Sequence, residues 1–97
     1  MQIRFVPEAE AELAEARIWY RSQRQGLDVA LMQRVDEAVK RIIENPNAFP
    51  VVHEQFRRAI VRQFPFAIFF EVRESEIVVF AIFHSRRNPQ RVKSRLK

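Results

Sequence analysis

The spacing of apolar residues changes its period once along the chain, and that change limits what the chain can build. From Ala9 to Ile43 the apolar positions return at helical intervals; from Phe56 to His84 they come in three runs of about eight residues rich in Phe, Ile and Val. Helical spacing hides one stripe of a cylinder, whereas a strand hides alternate residues or both faces. Two amphipathic helices followed by three strands can cover their apolar sides only by stacking one layer on the other. Eight of the nine Phe residues lie between Phe49 and Phe83, so the sheet supplies most of the core.

The first half reads as a strand and a helical hairpin. Gln2 to Val6 is partly alternating and suits a first strand. Pro7 fits the first turn of a helix, where its missing N–H costs nothing, and Glu8, Glu10, Glu12 and Glu15 lie toward the helix's positive dipole end. Ala9, Leu13, Ala16 and Tyr20 form one apolar face, and Ser22 to Gly26 breaks the helix. A second helix starts at Leu27 or Asp28. Leu27, Leu31, Val35, Ala38 and Ile42 form its stripe, widened by Met32, Val39 and Ile43, and Asn45-Pro46 ends it. The short connection makes the two an antiparallel αα-hairpin.

Residues 47–55, with Pro50, read as a loop. The strands follow as Phe56 to Gln63, Phe66 to Arg73 and Ile77 to His84, joined at Phe64-Pro65 and Glu74-Ser75-Glu76. Connections this short imply antiparallel neighbours. The last strand is apolar almost throughout and should be central, buried on both faces. The first alternates, with Arg58 and Arg62 opposite Ala59 and Val61. The expected fold is α+β: an antiparallel β-sheet packed against an N-terminal α-helical hairpin, in the order β-α-α-β-β-β with a basic C-terminal tail.

At 97 residues the chain is one domain, with no stretch to spare for a linker. It has no cysteine, which removes disulfides and thiolate metal sites and fits a reducing compartment. The opening residues lack the apolar stretch of a signal peptide, and the longest apolar run, Ile77 to Phe83, is far below the roughly 18 residues of a membrane span. A cytoplasmic protein with no membrane partner is expected. Charge is asymmetric: residues 1–50 carry seven Lys/Arg against eight Asp/Glu, and residues 51–97 carry ten against four. The last twelve residues hold six cations and no acid, which suits an anionic partner or, more plainly, a solvated soluble tail.

Several local features occur in one order across nearly the whole chain. They are Ala11-Glu12-Leu13 with Trp19-Tyr20, Asn45-Pro46 with Phe49-Pro50, Arg57-Arg58, Phe64-Pro65-Phe66-Ala67-Ile68-Phe69-Phe70, and Ile82-Phe83-His84-Ser85-Arg86-Arg87-Asn88-Pro89. In this order the sequence resembles the RelE/ParE superfamily of type II toxins, with Trp19-Tyr20 and Phe-Pro-Phe nearer the ParE-like branch. The resemblance implies a growth-inhibiting toxin made with a short cognate antitoxin, with which it can form a hetero-oligomer; the basic surface and exposed apolar strips suit an acidic, partly disordered antitoxin segment that folds on binding, either as a strand added at the sheet edge or as a helix along the hairpin. The resemblance also implies a target: DNA gyrase for ParE-like members, ribosome-bound mRNA for RelE-like endoribonucleases.

RNA cleavage needs an acid, a base and cations to steady the phosphate. The candidates are His84, at a strand end, with Arg58 and Arg62 from the same sheet; the alternative is a hydrogen-bonded strand-end histidine with no chemistry. RelE-like nucleases commonly carry a tyrosine near the C-terminus, and this chain has none after Tyr20. A gyrase poison needs no catalytic group, only a charged surface. Arg86, Arg87, Arg91, Lys93 and Arg95 of the tail, with Arg57, Arg58 and Arg62 as neighbours, would suit gyrase, DNA or RNA backbone alike. A basic nucleic-acid-binding module without toxicity is the further alternative. His53 beside Glu54 reads as a surface residue, and Trp19 as a core or partner contact in preference to a base-stacking platform. Two histidines thirty-one residues apart make no familiar metal site, and a single glycine makes no phosphate loop, so no metal or cofactor is expected.

Overall fold

The computed structural model describes residues 1–85 and 89–96. Strand β1 (Gln2–Phe5) leads into α1 (Pro7–Gln23) and α2 (Leu27–Glu44), followed by a 3-10 turn (Pro46–Ala48). Strands β2 (Val51–His53), β3 (Phe56–Val61), β4 (Phe66–Val72) and β5 (Glu76–His84) complete the sheet, and α3 (Pro89–Arg95) follows. The α+β layering, the helical hairpin and the strand order are as the periodicity implies. Gly26 makes the hairpin turn at φ +91°, a conformation that favours glycine.

The strands lie side by side as β1-β5-β4-β3-β2. The β3–β4 and β4–β5 pairs are antiparallel, as their short connections require, and β5 is flanked on both sides. One refinement concerns β1. It pairs parallel to β5, from Gln2 opposite Glu76 to Phe5 opposite Val79, so the sheet is mixed. A parallel neighbour needs a long crossover, and the two helices with the β2–β4 meander provide it. β2 adds a short edge strand within the stretch read as a loop.

One face of the sheet carries the hairpin. Leu31, Val35, Ala38 and Ile42 of α2 and Ala9 and Ala16 of α1 pack on Ala59, Val61, Ile68, Phe70, Ile77, Val79 and Ile82. The other face holds a second cluster of Phe56, Ala67, Phe69, Ala81 and Phe83, covered by Leu96 and by Val92 of α3. Over 89–95 the basic tail is a helix, because Val92 and Leu96, one turn apart, have an apolar surface to cover. Within β5 the pairing steps from Phe69–Ala81 to Phe70–Val79, leaving Phe80 as an extra residue. This bulge reverses the alternation. Before it Ile77 and Val79 face the hairpin; after it Ile82 does, and Ala81 and Phe83 face α3.

Asp28 is buried at the start of α2, where Arg21 Nε donates to its Oδ2 at 3.1 Å. That bond holds the Asp28 carboxyl below its ordinary value, outweighing the opposing effect of burial. A carboxyl depressed in the folded state stabilises the fold above its unfolded pKa of about 3.9, and the contribution is lost as pH falls through the folded value. Urea unfolding should therefore show stability declining below about pH 4. In Arg21→Met that acid-side decline should be shallower; an identical profile would remove the pair from the account.

Candidate functional site

Strand parity sorts the candidate residues. Arg58 lies directly opposite Phe69 on β4, and residues so paired share a face, so Arg58 points to the α3 side. Arg62, just past β3, is exposed, as are Arg91 and Lys93 on α3. Among the described residues, none of these four side chains makes an ion pair or a side-chain hydrogen bond. Of the expected partner-facing cations, these four are left available. Arg86 and Arg87 lie outside the described residues.

Two of the expected surface cations are engaged in holding the fold. Arg57 Nη1 donates to the carbonyls of Phe49, at 2.6 Å, and Asn47, at 3.2 Å, which fixes the segment leaving α2. Arg95 Nη2 donates to the Phe80 carbonyl at 2.7 Å, its Nε lies 3.5 Å from Glu12 Oε2, and its guanidinium stands over the Phe83 ring. Arg95 thus latches α3 to the sheet.

His84 lies on the other side. It pairs with Phe66 on β4, its ring meets the Phe66 ring edge-on at 5.4 Å, and Phe66 packs against the hairpin-side cluster. The bulge at Phe80 is what turns it there. His84 and Arg58 consequently project from opposite faces, and the sheet does not bring together the three residues an RNA-cleaving centre would use.

His84 instead lines a groove of about 710 Å³ between α1 and the ends of β4 and β5. From α1 come Glu12, Glu15, Ala16, Trp19 and Tyr20; from the sheet side come Pro65, Phe66 and Ile82. Tyr20, half-buried, meets Trp19 edge-on at 4.9 Å and Phe64 at 5.1 Å. Burial pushes its phenol above the usual value. Trp19 itself is 56% exposed. Glu12 closes the floor, its Oε1 accepting from the Ile82 N–H at 3.0 Å. The sequence reading missed this groove. Its signal was the spacing of Glu12, Glu15, Ala16 and Trp19 at i, i+3, i+4 and i+7, which puts acid and aromatic on one helix face.

No group of three or more His, Asp or Glu side chains among the described residues is placed to hold a metal ion. No described helix is long and apolar enough to cross a membrane.

The fold defines a class. A solved structure described as the chromosomal ParDE TA system from P. aeruginosa superposes with a TM-score of 0.77, covering 87% of this chain and 95% of that chain at 22% identity, a likeness of fold. The family described as the ParE toxin of type II toxin-antitoxin system, parDE, matches residues 3–89. The chain therefore belongs to the ParE toxin family. No curated protein matches it.

Proposed function

We propose that this ParE-family toxin arrests growth by poisoning DNA gyrase in the cytoplasm and is neutralised by a cognate antitoxin. The observation that supports binding over cutting is the setting of His84. A nuclease must hold a phosphate beside its acid or base, yet the described charged side chains sharing the groove with His84 are the carboxylates of Glu12 and Glu15. The unengaged candidate cations Arg58, Arg62, Arg91 and Lys93 lie outside that groove and suit a protein–DNA complex whose phosphates they would meet.

Purified toxin is expected to inhibit gyrase supercoiling or to accumulate cleaved DNA. His84→Ala should retain that inhibition within roughly 3-fold, whereas loss of a general acid or base would cost about 10²–10⁴-fold. Arg58→Glu combined with Arg62→Glu should abolish it. Gyrase unaffected at micromolar toxin, together with new codon-positioned mRNA 5′ ends after induction, would overturn the proposal in favour of an endoribonuclease.

A further inference from the structure

Charge divides along the layers of the molecule. The hairpin, residues 7–44, carries eight Asp/Glu against six Lys/Arg, a balance of −2, so the remainder of the chain holds +7 of a net +5. We infer that the sheet face on the α3 side binds duplex DNA directly, with no second protein, by contacts to the phosphate backbone. The inference goes beyond the gyrase reading, in which DNA is met only as part of the enzyme's complex.

Strand parity places the charges of this face. Ile3 and Phe5 pack on the hairpin side, so Arg4 between them lies on the α3 side. Glu71, between Phe70 and Val72, lies there for the same reason, and Arg58 shares the face of Phe69. Arg73 joins them, its guanidinium 5.6 Å over the Phe80 ring. Part of this charge cancels: Arg4 pairs with Glu76 at 3.1 Å, and Arg73 pairs with Glu71 at 2.6 Å and Glu76 at 3.8 Å. On α3, Val92 and Leu96 turn to the sheet and Arg95 reaches back to the Phe80 carbonyl and Glu12. Helical spacing then leaves Lys93 on the flank away from Glu12. Arg58, Arg91 and Lys93 are exposed and have no counter-charge among the described residues. Arg62 is exposed in the β3–β4 connection, whereas Glu54 and Glu74 sit in the β2–β3 and β4–β5 connections, at the opposite end of the sheet. The hairpin has exposed cations too, Arg17, Arg24 and Lys40, but they stand among its eight acids.

The aromatic residues select a duplex. Single strands are held by cations together with exposed rings on which the bases stack. The exposed aromatic among the described residues is Trp19, which belongs to the hairpin, while Phe56, Phe69 and Phe83 are buried beneath α3. A cationic face without a stacking surface recognises paired backbone, and its affinity follows the number of phosphates it neutralises.

The probe is a fluorescein-labelled 20-base-pair duplex of mixed sequence, titrated with the purified chain alone and followed by anisotropy. Binding is expected with a Kd of about 10⁻⁶–10⁻⁵ M at 50 mM salt, and log K should fall against log salt with a slope of about −3 to −4, the value for four phosphate contacts. Arg58→Glu with Lys93→Glu should weaken binding at least about tenfold. Arg17→Glu with Lys40→Glu gives the same net charge on the hairpin side and should stay within roughly threefold of the parent. No binding at 50 mM salt would overturn the inference, as would a slope near zero in the parent chain, which needs no variant to fold. Equal losses in the two double variants would show a response to total charge without a binding face. A single strand held as tightly as the duplex would make single-stranded nucleic acid the partner instead. Supercoiling assays separate the two readings: inhibited gyrase without duplex binding sinks this assignment alone, and duplex binding with unaffected gyrase upholds it while sinking the gyrase reading.

Discussion

Phe70→Ala is expected to lower the unfolding free energy by about 3–5 kcal/mol. In a domain of this size that corresponds to a fall in Tm of roughly 12–40 °C. Phe70 is fully buried at the centre of β4, on the face the hairpin covers. Its ring meets Phe49 edge-on at 5.6 Å. Phe49 in turn carries the carbonyl that accepts from Arg57 at 2.6 Å, so the cavity would also loosen the segment leaving α2. Ile60→Ala, at a side chain half exposed on β3, provides the contrast and should cost less than about 0.5 kcal/mol. Thermal and urea unfolding measure both. A Phe70→Ala loss below about 1 kcal/mol would mean that the hairpin and sheet are not packed as one core.

Glu12→Ala should have the second largest effect, about 2–3 kcal/mol, because one carboxylate serves two elements. It accepts from the Ile82 N–H and faces Arg95, so its removal leaves a β5 amide without its acceptor and α3 without its counter-charge. Glu12→Gln keeps an acceptor for Ile82 and should lose less. A double-mutant cycle with Arg95→Ala should show positive coupling, and hydrogen exchange at the Ile82 amide should quicken in Glu12→Ala. Additive losses with unchanged exchange would show that α3 is held independently of α1.

The layer order was legible because each element carries a clear period. The stripe Leu31, Val35, Ala38, Ile42 is buried as its spacing requires, and β5 is covered on both faces as its unbroken apolar run demands. What could not be read has a physical reason in each case. The Phe80 bulge sits inside a run that is apolar at every position, so no polar residue falls out of phase to betray it. His84 was therefore grouped with arginines that the fold turns to the other face. Arg57 and Arg95 looked like free cations because the carbonyls they bind, at Asn47, Phe49 and Phe80, belong to distant chain segments. Helix α3 has only Val92 within it and Leu96 after it as apolar signals, too few to separate a helix from a charged tail. The groove escaped notice because half of it comes from α1 and half from strand ends more than forty residues later.

The extra residue in β5 also says something about how such a domain can diversify. An unpaired position can be lost without disturbing the ladder: removing Phe80 would leave Ala81 opposite Phe69 and Ile82 opposite Ile68, so Ile82 and His84 would stay on the helix side and Ala81 and Phe83 on the α3 side. A one-residue gap at this point of the last strand is thus absorbed locally, straightening the strand while both surfaces keep their groups. Two homologues with matching residues on either side of such a gap can therefore present like surfaces despite a shifted numbering.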